Sequence, residues 1–157
     1  MKAAEQHYLA DPLAGDSTLT PDEISRVLGG EACMWAELVS QGSIDSRIWP
    51  RLAAIAERFW SPRSVTDVAD MYRRLAIENA RLEQFGLGQE SHTDRYLRRI
   101  MNGPDIAPLS ELLKLAEPVT LGQRTHTVTV TQLTPLVQIV DAARPDPPDR
   151  WRILQLV

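Results

Sequence analysis

The sequence predicts an α/β fold in which one strand is followed by helices. Three observations carry this prediction: a strong helix start at residues 20–23, an apolar run at 31–39 that two glycines introduce, and helical apolar spacing over 47–60 and 65–85. The order short helix, strand, loop, helix, helix is typical of α/β proteins.

The first short helix has a clear start and a clear end. Thr20 can cap it, Pro21 suits the first helical position, and Glu23 lies where the second half of a capping box belongs. The glycines at 29–30 then end the helix and lead into the apolar run.

The apolar run at residues 31–39 is the strand candidate. Side chains alternate faces along a strand, so Trp35 and Glu37 are expected to point one way, and Glu31 and Cys33 to share a face. Cys33 stands between two apolar neighbours, and we expect it to be a small buried hydrophobe rather than a nucleophile.

Two helices are expected to follow the strand. The first, at about 47–60, ends at the Ser-Pro pair at 61–62, and its apolar positions recur at helical spacing: Ile48, Leu52, Ile55 and Phe59. The second, at about 65–85, has Ser64 and Asp67 near its start for capping and Gly86 as a left-handed terminator.

Beyond residue 89 the pattern becomes less regular. Short helices are expected at 96–101 and 109–116, and the alternation at 126–131 predicts a strand. Thr134 and Pro135 favour a further helix over 135–142.

Composition excludes several classes of protein. The 157 residues suffice for one domain with a core, and a net charge of -4 argues against general nucleic-acid binding. The single cysteine excludes an internal disulfide, and the three histidines lack metal-ligand spacing, so we expect no metal and no cofactor. The sequence has no apolar run long enough to span a bilayer and no signal peptide at its start.

Trp35 and Glu37 together indicate a carbohydrate site. An indole ring can cover the C–H face of a pyranose, and a carboxylate accepts hydrogen bonds from sugar hydroxyls. On the residues alone, the alternative is a core aromatic beside an exposed acid at the end of a strand.

Several blocks of the sequence resemble the family-20 β-N-acetylhexosaminidases. They are Gly-Gly-Glu-Ala-Cys-Met-Trp-Ala-Glu at 29–37, Ser-Arg-Ile-Trp-Pro-Arg at 46–51, Ala-Glu-Arg-Phe-Trp-Ser at 56–61 and Val-Thr-Asp-Val at 65–68. They stand in the family's order and at similar spacing. The resemblance covers most of the chain and weakens after about residue 90, where Pro118-Val119 and Leu133–Pro145 look like the C-terminal extension of bacterial members.

The resemblance implies a fold and a division of the chain. Residues 29–37 would be the eighth strand of a (β/α)8 barrel and 47–60 its eighth helix. Residues 1–88 would form the C-terminal end of that catalytic barrel, incomplete in this chain, and 89–157 a mainly helical extension.

The resemblance also implies roles for single residues. Trp35 would form a wall of the pocket around the substrate's N-acetyl group, and Glu37 would hydrogen-bond the outer hydroxyls of the non-reducing sugar. Trp49 and Trp60 would be packing residues, and Glu31 would have a structural role.

The family reaction needs groups that this sequence lacks. It is retaining and substrate-assisted, and it requires an adjacent Asp-Glu pair on an earlier strand. The one Asp-Glu here, Asp22-Glu23, belongs to the predicted capping box. We therefore expect no catalytic residue in this chain and no hydrolysis by it alone, and we assign no sugar contact to Tyr8 or Asp11.

The partners implied by the resemblance are glycans that end in N-acetylglucosamine or N-acetylgalactosamine, or chitooligosaccharides, with neither nucleic acid nor a membrane span. Full-length relatives are often periplasmic or secreted. The alternative is a non-catalytic helical interaction or carbohydrate-binding module. Residues 151–157 depart from the family extension and predict an altered or truncated C-terminus.

Overall fold

The structure is a computed structural model that describes residues 2–14, 18–103, 105–127, 129–131, 133–147 and 149. Over these residues the regular elements are all helical, and none is a strand. The helices are α1 (Ala4–Tyr8), α2 (Pro21–Ser25), α3 (Ile44–Ile48), α4 (Arg51–Trp60), α5 (Val68–Gln84), α6 (His92–Met101), α7 (Ala107–Leu113), α8 (Leu121–Thr127) and a 3-10 turn (Ile139–Asp141).

Helix α2 begins as predicted. The Thr20 hydroxyl accepts a hydrogen bond from the Glu23 amide at 3.3 Å, and the Glu23 carboxylate accepts one from the Thr20 amide at 2.7 Å. The helix ends at Ser25, earlier than the glycines suggest, and Gly29 then adopts a φ of 151° that favours glycine.

The predicted strand at 31–39 is not formed in the described part of the chain. Residues 29–36 have no regular secondary structure, and 37–38 form a turn. A strand is stabilised by hydrogen bonds to a neighbouring strand, and the described residues supply none. Cys33 is exposed, so the expectation that it is buried is wrong here.

The predicted helix at 47–60 is two helices. Trp49 has extended dihedrals (φ -95°, ψ 152°), and the Trp49–Pro50 peptide is cis. Proline has no amide hydrogen and disfavours the helical conformation of the preceding residue, so α3 ends at Ile48 and α4 restarts at Arg51.

Helix α5 confirms the prediction for 65–85. The Asp67 side chain accepts a hydrogen bond from the Asp70 amide at 3.0 Å, and Gly86 has a φ of 91° after the last turn. Helix α5 packs with α4, and α1 packs against α4. We call the buried residues at this contact the N-terminal cluster: Ala4, Tyr8, Ala54, Met71 and Leu75.

Helices α6 and α7 also confirm their predictions, and they form a second core with the 3-10 turn. This C-terminal cluster consists of Tyr96, Leu97, Ile106, Leu113, Ala142 and Ala143.

Two other predictions for this part are wrong. Residues 126 and 127 end α8 instead of starting a strand, 129–131 are irregular, and 128 lies outside the described residues. The Thr134 hydroxyl accepts a hydrogen bond from the Thr131 amide at 2.8 Å, so it closes a turn instead of capping a helix, and only the 3-10 turn forms within 135–142. Residues 151–157 lie outside the described residues.

Polar contacts, most of them buried, lie at the junction between the N-terminal helices and the C-terminal segment. Arg47, only 4% exposed, donates to the carbonyls of Ala143 at 2.8 Å and Asp141 at 3.0 Å. Asp141 also forms a 2.5 Å ion pair with Arg124, and both side chains are nearly inaccessible. The Asp146 carboxylate accepts a hydrogen bond from the Ala4 amide at 2.8 Å. The division at residue 88 stays a prediction.

Among the described residues, no helix is both long enough and apolar enough to cross a membrane.

Candidate functional site

Trp35 and Glu37 lie on an exposed segment that leads into a turn. Trp35 is 78% exposed. Glu37 is exposed and is a central residue of a turn that closes when the Val39 amide donates to the Ala36 carbonyl at 3.3 Å. Both side chains are therefore accessible to a ligand.

Residues 30–35 form one wall of a cavity of about 700 Å³, and the others come from α3, α4 and α1 with its flanking residues. Trp35 lines this cavity, together with apolar side chains of α4 that include Leu52, Ile55 and Phe59. At Gly30 the main chain lies so close to Phe59 that an added Cβ would be 2.9 Å from the ring. Glycine therefore allows the segment to lie directly on α4.

Three arginines, Arg47, Arg51 and Arg58, also line the cavity, and each donates hydrogen bonds to main-chain carbonyls. Arg47 donates to the C-terminal segment as described, and burial lowers its pKa to about 10. Arg51 donates to the Lys2 carbonyl at 2.9 Å, and Arg58 donates to the carbonyls of Val65 and Pro62 at 2.7 Å. These arginines act as structural links between elements.

Glu31 and Cys33, which the predicted strand would place on one face, lie close together without a strand. The Cys33 thiol lies 3.9 Å from a Glu31 carboxylate oxygen, and both residues line the cavity.

The two tryptophans expected to pack have different surroundings. Trp49 is half-buried. Trp60, at the end of α4, is 92% exposed, so the described residues do not cover it.

The Asp22-Glu23 pair acts as a helix cap. Hydrogen bonds from the Thr20 amide and hydroxyl lower the pKa of the exposed Glu23 carboxyl. A general acid needs a raised pKa, so this shift is in the wrong direction for that role.

Tyr8 and Asp11, to which we assigned no sugar contact, also have structural partners. Tyr8 is fully buried and its hydroxyl donates to Glu57 at 3.0 Å. Asp11 accepts a hydrogen bond from the Leu13 amide at 2.9 Å and forms an ion pair with Arg63.

One group of polar residues near Glu37 escaped the sequence analysis. His92 and Tyr96, one turn apart on α6, contact the loop that follows Glu37. Their spacing of four residues places them on one face of a helix. The spacing is visible in the sequence, but it does not show which loop His92 and Tyr96 contact.

Comparison with known proteins places these features in a family. Residues 1–63 match the model of the glycosyl hydrolase family 20 catalytic domain. The β subunit of mouse β-hexosaminidase is 36% identical over 86 residues, which is 55% of this chain and 16% of that protein. The pig β subunit is 46% identical over 68 residues, covering 43% of this chain and 13% of that protein.

A solved structure matches nearly the whole chain. The chitobiase of Flavobacterium johnsoniae superposes with a TM-score of 0.89 at 38% identity, over 99% of this chain and 24% of the chitobiase. The chain thus spans about a quarter of that enzyme and less than a fifth of the curated hexosaminidases. These matches confirm the resemblance read from the sequence, to a fragment of a family-20 glycoside hydrolase.

Proposed function

We propose that this chain is the part of a β-N-acetylhexosaminidase that holds the terminal, non-reducing sugar of the substrate. Trp35 forms a wall around the N-acetyl group, and Glu37 accepts hydrogen bonds from the outer hydroxyls. The observation that carries the proposal is the exposure of both side chains within residues 1–63, the region that matches the family's catalytic domain.

The chemistry of the two side chains supports this role. The indole face is apolar and suits the C–H face of a pyranose or the methyl group of an acetamide. The Glu37 carboxylate offers acceptors only, which matches hydroxyl donors.

In the whole protein the reaction would be retaining and substrate-assisted. The acetamido oxygen of the substrate attacks the anomeric carbon, one carboxylate orients the acetamido group, and a carboxylic acid protonates the leaving oxygen. Residues 29–37 would then be the last strand of a (β/α)8 barrel, and pairing with neighbouring strands would give this segment the ladder hydrogen bonds that the described residues do not provide.

The substrates would be chitooligosaccharides or glycans that end in N-acetylglucosamine or N-acetylgalactosamine. The names of the relatives support this class, since they are β-hexosaminidases and a chitobiase.

The first test is hydrolysis by the chain alone. Because the Asp-Glu pair at 22–23 is a helix cap, we expect the purified chain to release no more p-nitrophenol from p-nitrophenyl N-acetyl-β-glucosaminide than its Glu37→Ala variant. Turnover well above that control would contradict the absence of a catalytic acid.

The second test combines this chain with the rest of the Flavobacterium chitobiase. The matching quarter of the Flavobacterium chitobiase is replaced by this chain, and the same chitobiase with that region deleted is the control. We expect the chimera to hydrolyse the substrate and the deleted enzyme not to. A soluble, folded chimera without activity would favour the alternative, a non-catalytic module.

A further inference from the structure

We infer that Tyr96 and His92 of α6 are positioning residues for the turn that carries Glu37. They contact the loop at residues 37–43 and act on Glu37 through its main chain. The consequence for sugar binding rests on the proposed function, but the positioning itself is a property of this chain.

The loop consists of two consecutive turns. The first, from Ala36 to Val39, contains Glu37. In the second, the Ser40 amide donates to the Ser43 hydroxyl at 2.9 Å, and the amides of Ser43 and Ile44 donate to the Ser40 carbonyl at 3.0 Å. Helix α3 begins directly after this turn, so Ser40 is the residue that connects the Glu37 turn to regular structure.

Side chains of α6 hold the second turn. The Tyr96 hydroxyl lies 2.5 Å from the Ser40 hydroxyl, and His92 Nδ1 lies 2.8 Å from the Gly42 carbonyl oxygen. Since a carbonyl only accepts, Nδ1 carries the proton and donates it. An added Cβ on Gly42 would be 3.2 Å from the Tyr96 ring, so a glycine lets the loop lie against that ring.

The two side chains form a rigid pair. His92 is fully buried and Tyr96 is 6% exposed. Their ring centroids are 4.6 Å apart at an interplanar angle of 55°. A buried pair in contact has few alternative rotamers, so it can hold its partners in one place.

Helix α6 is itself fixed by the C-terminal cluster. Tyr96 and Leu97 belong to that cluster, and the Thr93 hydroxyl donates to the Ala142 carbonyl at 2.9 Å. The far side of the loop is held as well, because the Gly88 amide donates to the Asp45 carboxylate of α3 at 2.8 Å. Residues from 88 onward thus contact both the second turn and the start of α3, next to the Glu37 turn.

The segment before the loop contrasts with it. No main-chain hydrogen bond joins residues 29–35 to another described main-chain group. Among the described residues, the main-chain hydrogen bonds that hold the Glu37 turn are therefore made after residue 35.

The test is solution NMR of the whole, ¹⁵N-labelled chain without sugar. We compare the wild type with Tyr96→Phe, Ser40→Ala and the double variant. We expect the Glu37 amide resonance to move by more than its linewidth in each, and water exchange of the Val39 amide to accelerate about two- to tenfold, because one hydrogen bond is lost. The double variant should match Ser40→Ala, since Tyr96 and Ser40 share one bond, whereas the 3.2 Å contact between the Ser40 and Ser43 hydroxyls is lost only with Ser40.

Two controls separate positioning from general loosening. Tyr8→Phe removes a buried hydroxyl from the N-terminal cluster, and it should leave the Glu37 and Val39 signals unchanged. Ser40→Thr keeps the hydroxyl and should keep the wild-type signals.

Unchanged Glu37 and Val39 signals in folded Tyr96→Phe would overturn the inference, and so would equal changes in Tyr8→Phe. If Tyr96→Phe does not fold, the half-buried Ser40→Ala decides by the same criteria. Because no sugar and no turnover enter this measurement, a failure of the proposed hydrolysis would be seen separately, in the chimera.

Discussion

The two sides of α3 and α4 differ sharply in how far the rest of the described chain covers them. On one side, residues 28–36 and the end of α4 expose Leu28 by 98%, Trp35 by 78% and Trp60 by 92%. On the other, the junction between the two clusters buries Arg47, His92, Arg124 and Asp141 to 5% exposure or less.

This difference shows which surface the chain covers by itself and which surface it leaves exposed. At the junction, charged groups are out of water but paired or bonded to carbonyls, which is the arrangement that makes a buried charge tolerable. On the exposed side, large apolar side chains remain in solvent, which marks a surface that contacts something else. Substitutions should therefore affect stability at the junction and ligand binding on the exposed side.

The largest expected effect on stability is at Asp141. Asp141→Ala leaves Arg124 as a buried charge without its carboxylate partner, and we expect a loss of about 3–5 kcal/mol in the free energy of unfolding, from urea titration. Glu111→Ala is the matched control, because it breaks an ion pair with Lys114 whose side chains are 69% and 41% exposed. Its loss should stay below about 1 kcal/mol. Equal losses for the two variants would contradict the claim that the buried ion pair stabilises the fold more than the exposed one.

The next effect is a pH dependence centred on His92. Burial is the main cause that lowers the pKa of His92 from 6.5 to about 4, and the charges of Arg47 and Arg95 act in the same direction against the opposing Gly42 carbonyl. The unfolded chain therefore binds more protons than the folded chain between these values. The free energy of unfolding should therefore be highest above pH 6.5, where His92 is neutral in both states. It should fall by about 3 kcal/mol in total as the pH drops towards 4.

Urea titrations from pH 7.5 to 4 measure this dependence, and His92→Gln is the comparison, since it removes the titrating group. We expect a shallower slope in the variant between pH 6.5 and 4. Parallel slopes would show that His92 is not held neutral by burial. His7→Gln is the comparison at a less buried histidine: its pKa is lowered by the same main cause, so the slope should change in the same direction but less than in His92→Gln.

The smallest effects are expected on the exposed side. Trp60→Ala should change the free energy of unfolding by no more than about 0.5 kcal/mol, because the side chain is already in solvent. A thermal melt of the chain checks this, and a loss comparable to that of Asp141→Ala would show that Trp60 is covered.

Local chemistry accounts for the elements that could be predicted. The cap of α2 at Thr20, the cap of α5 at Asp67 and the terminator at Gly86 all depend on residues close in sequence. The break at Pro50 was also readable, since proline disfavours helix before it, but apolar periodicity across 47–60 obscured it.

Long-range requirements account for what could not be predicted. A strand at 31–39 depends on a partner strand, which no feature within those nine positions supplies. The contacts of His92 and Tyr96 with residues 40–42 join positions about fifty apart in sequence, and only the folded chain reveals them. Trp35 and Glu37 were found as a chemical pair, and their sugar contact stays a prediction.

The most direct test of the sugar-binding role uses the chimera with the Flavobacterium chitobiase. Trp35→Ala and Glu37→Gln should each lower kcat/KM for p-nitrophenyl N-acetyl-β-glucosaminide about 10- to 100-fold, because each removes a contact to the sugar. The matched controls Trp60→Ala and Glu31→Gln should remain within about twofold of the unsubstituted chimera. Equal losses in the test and control variants, or none in either, would contradict the account.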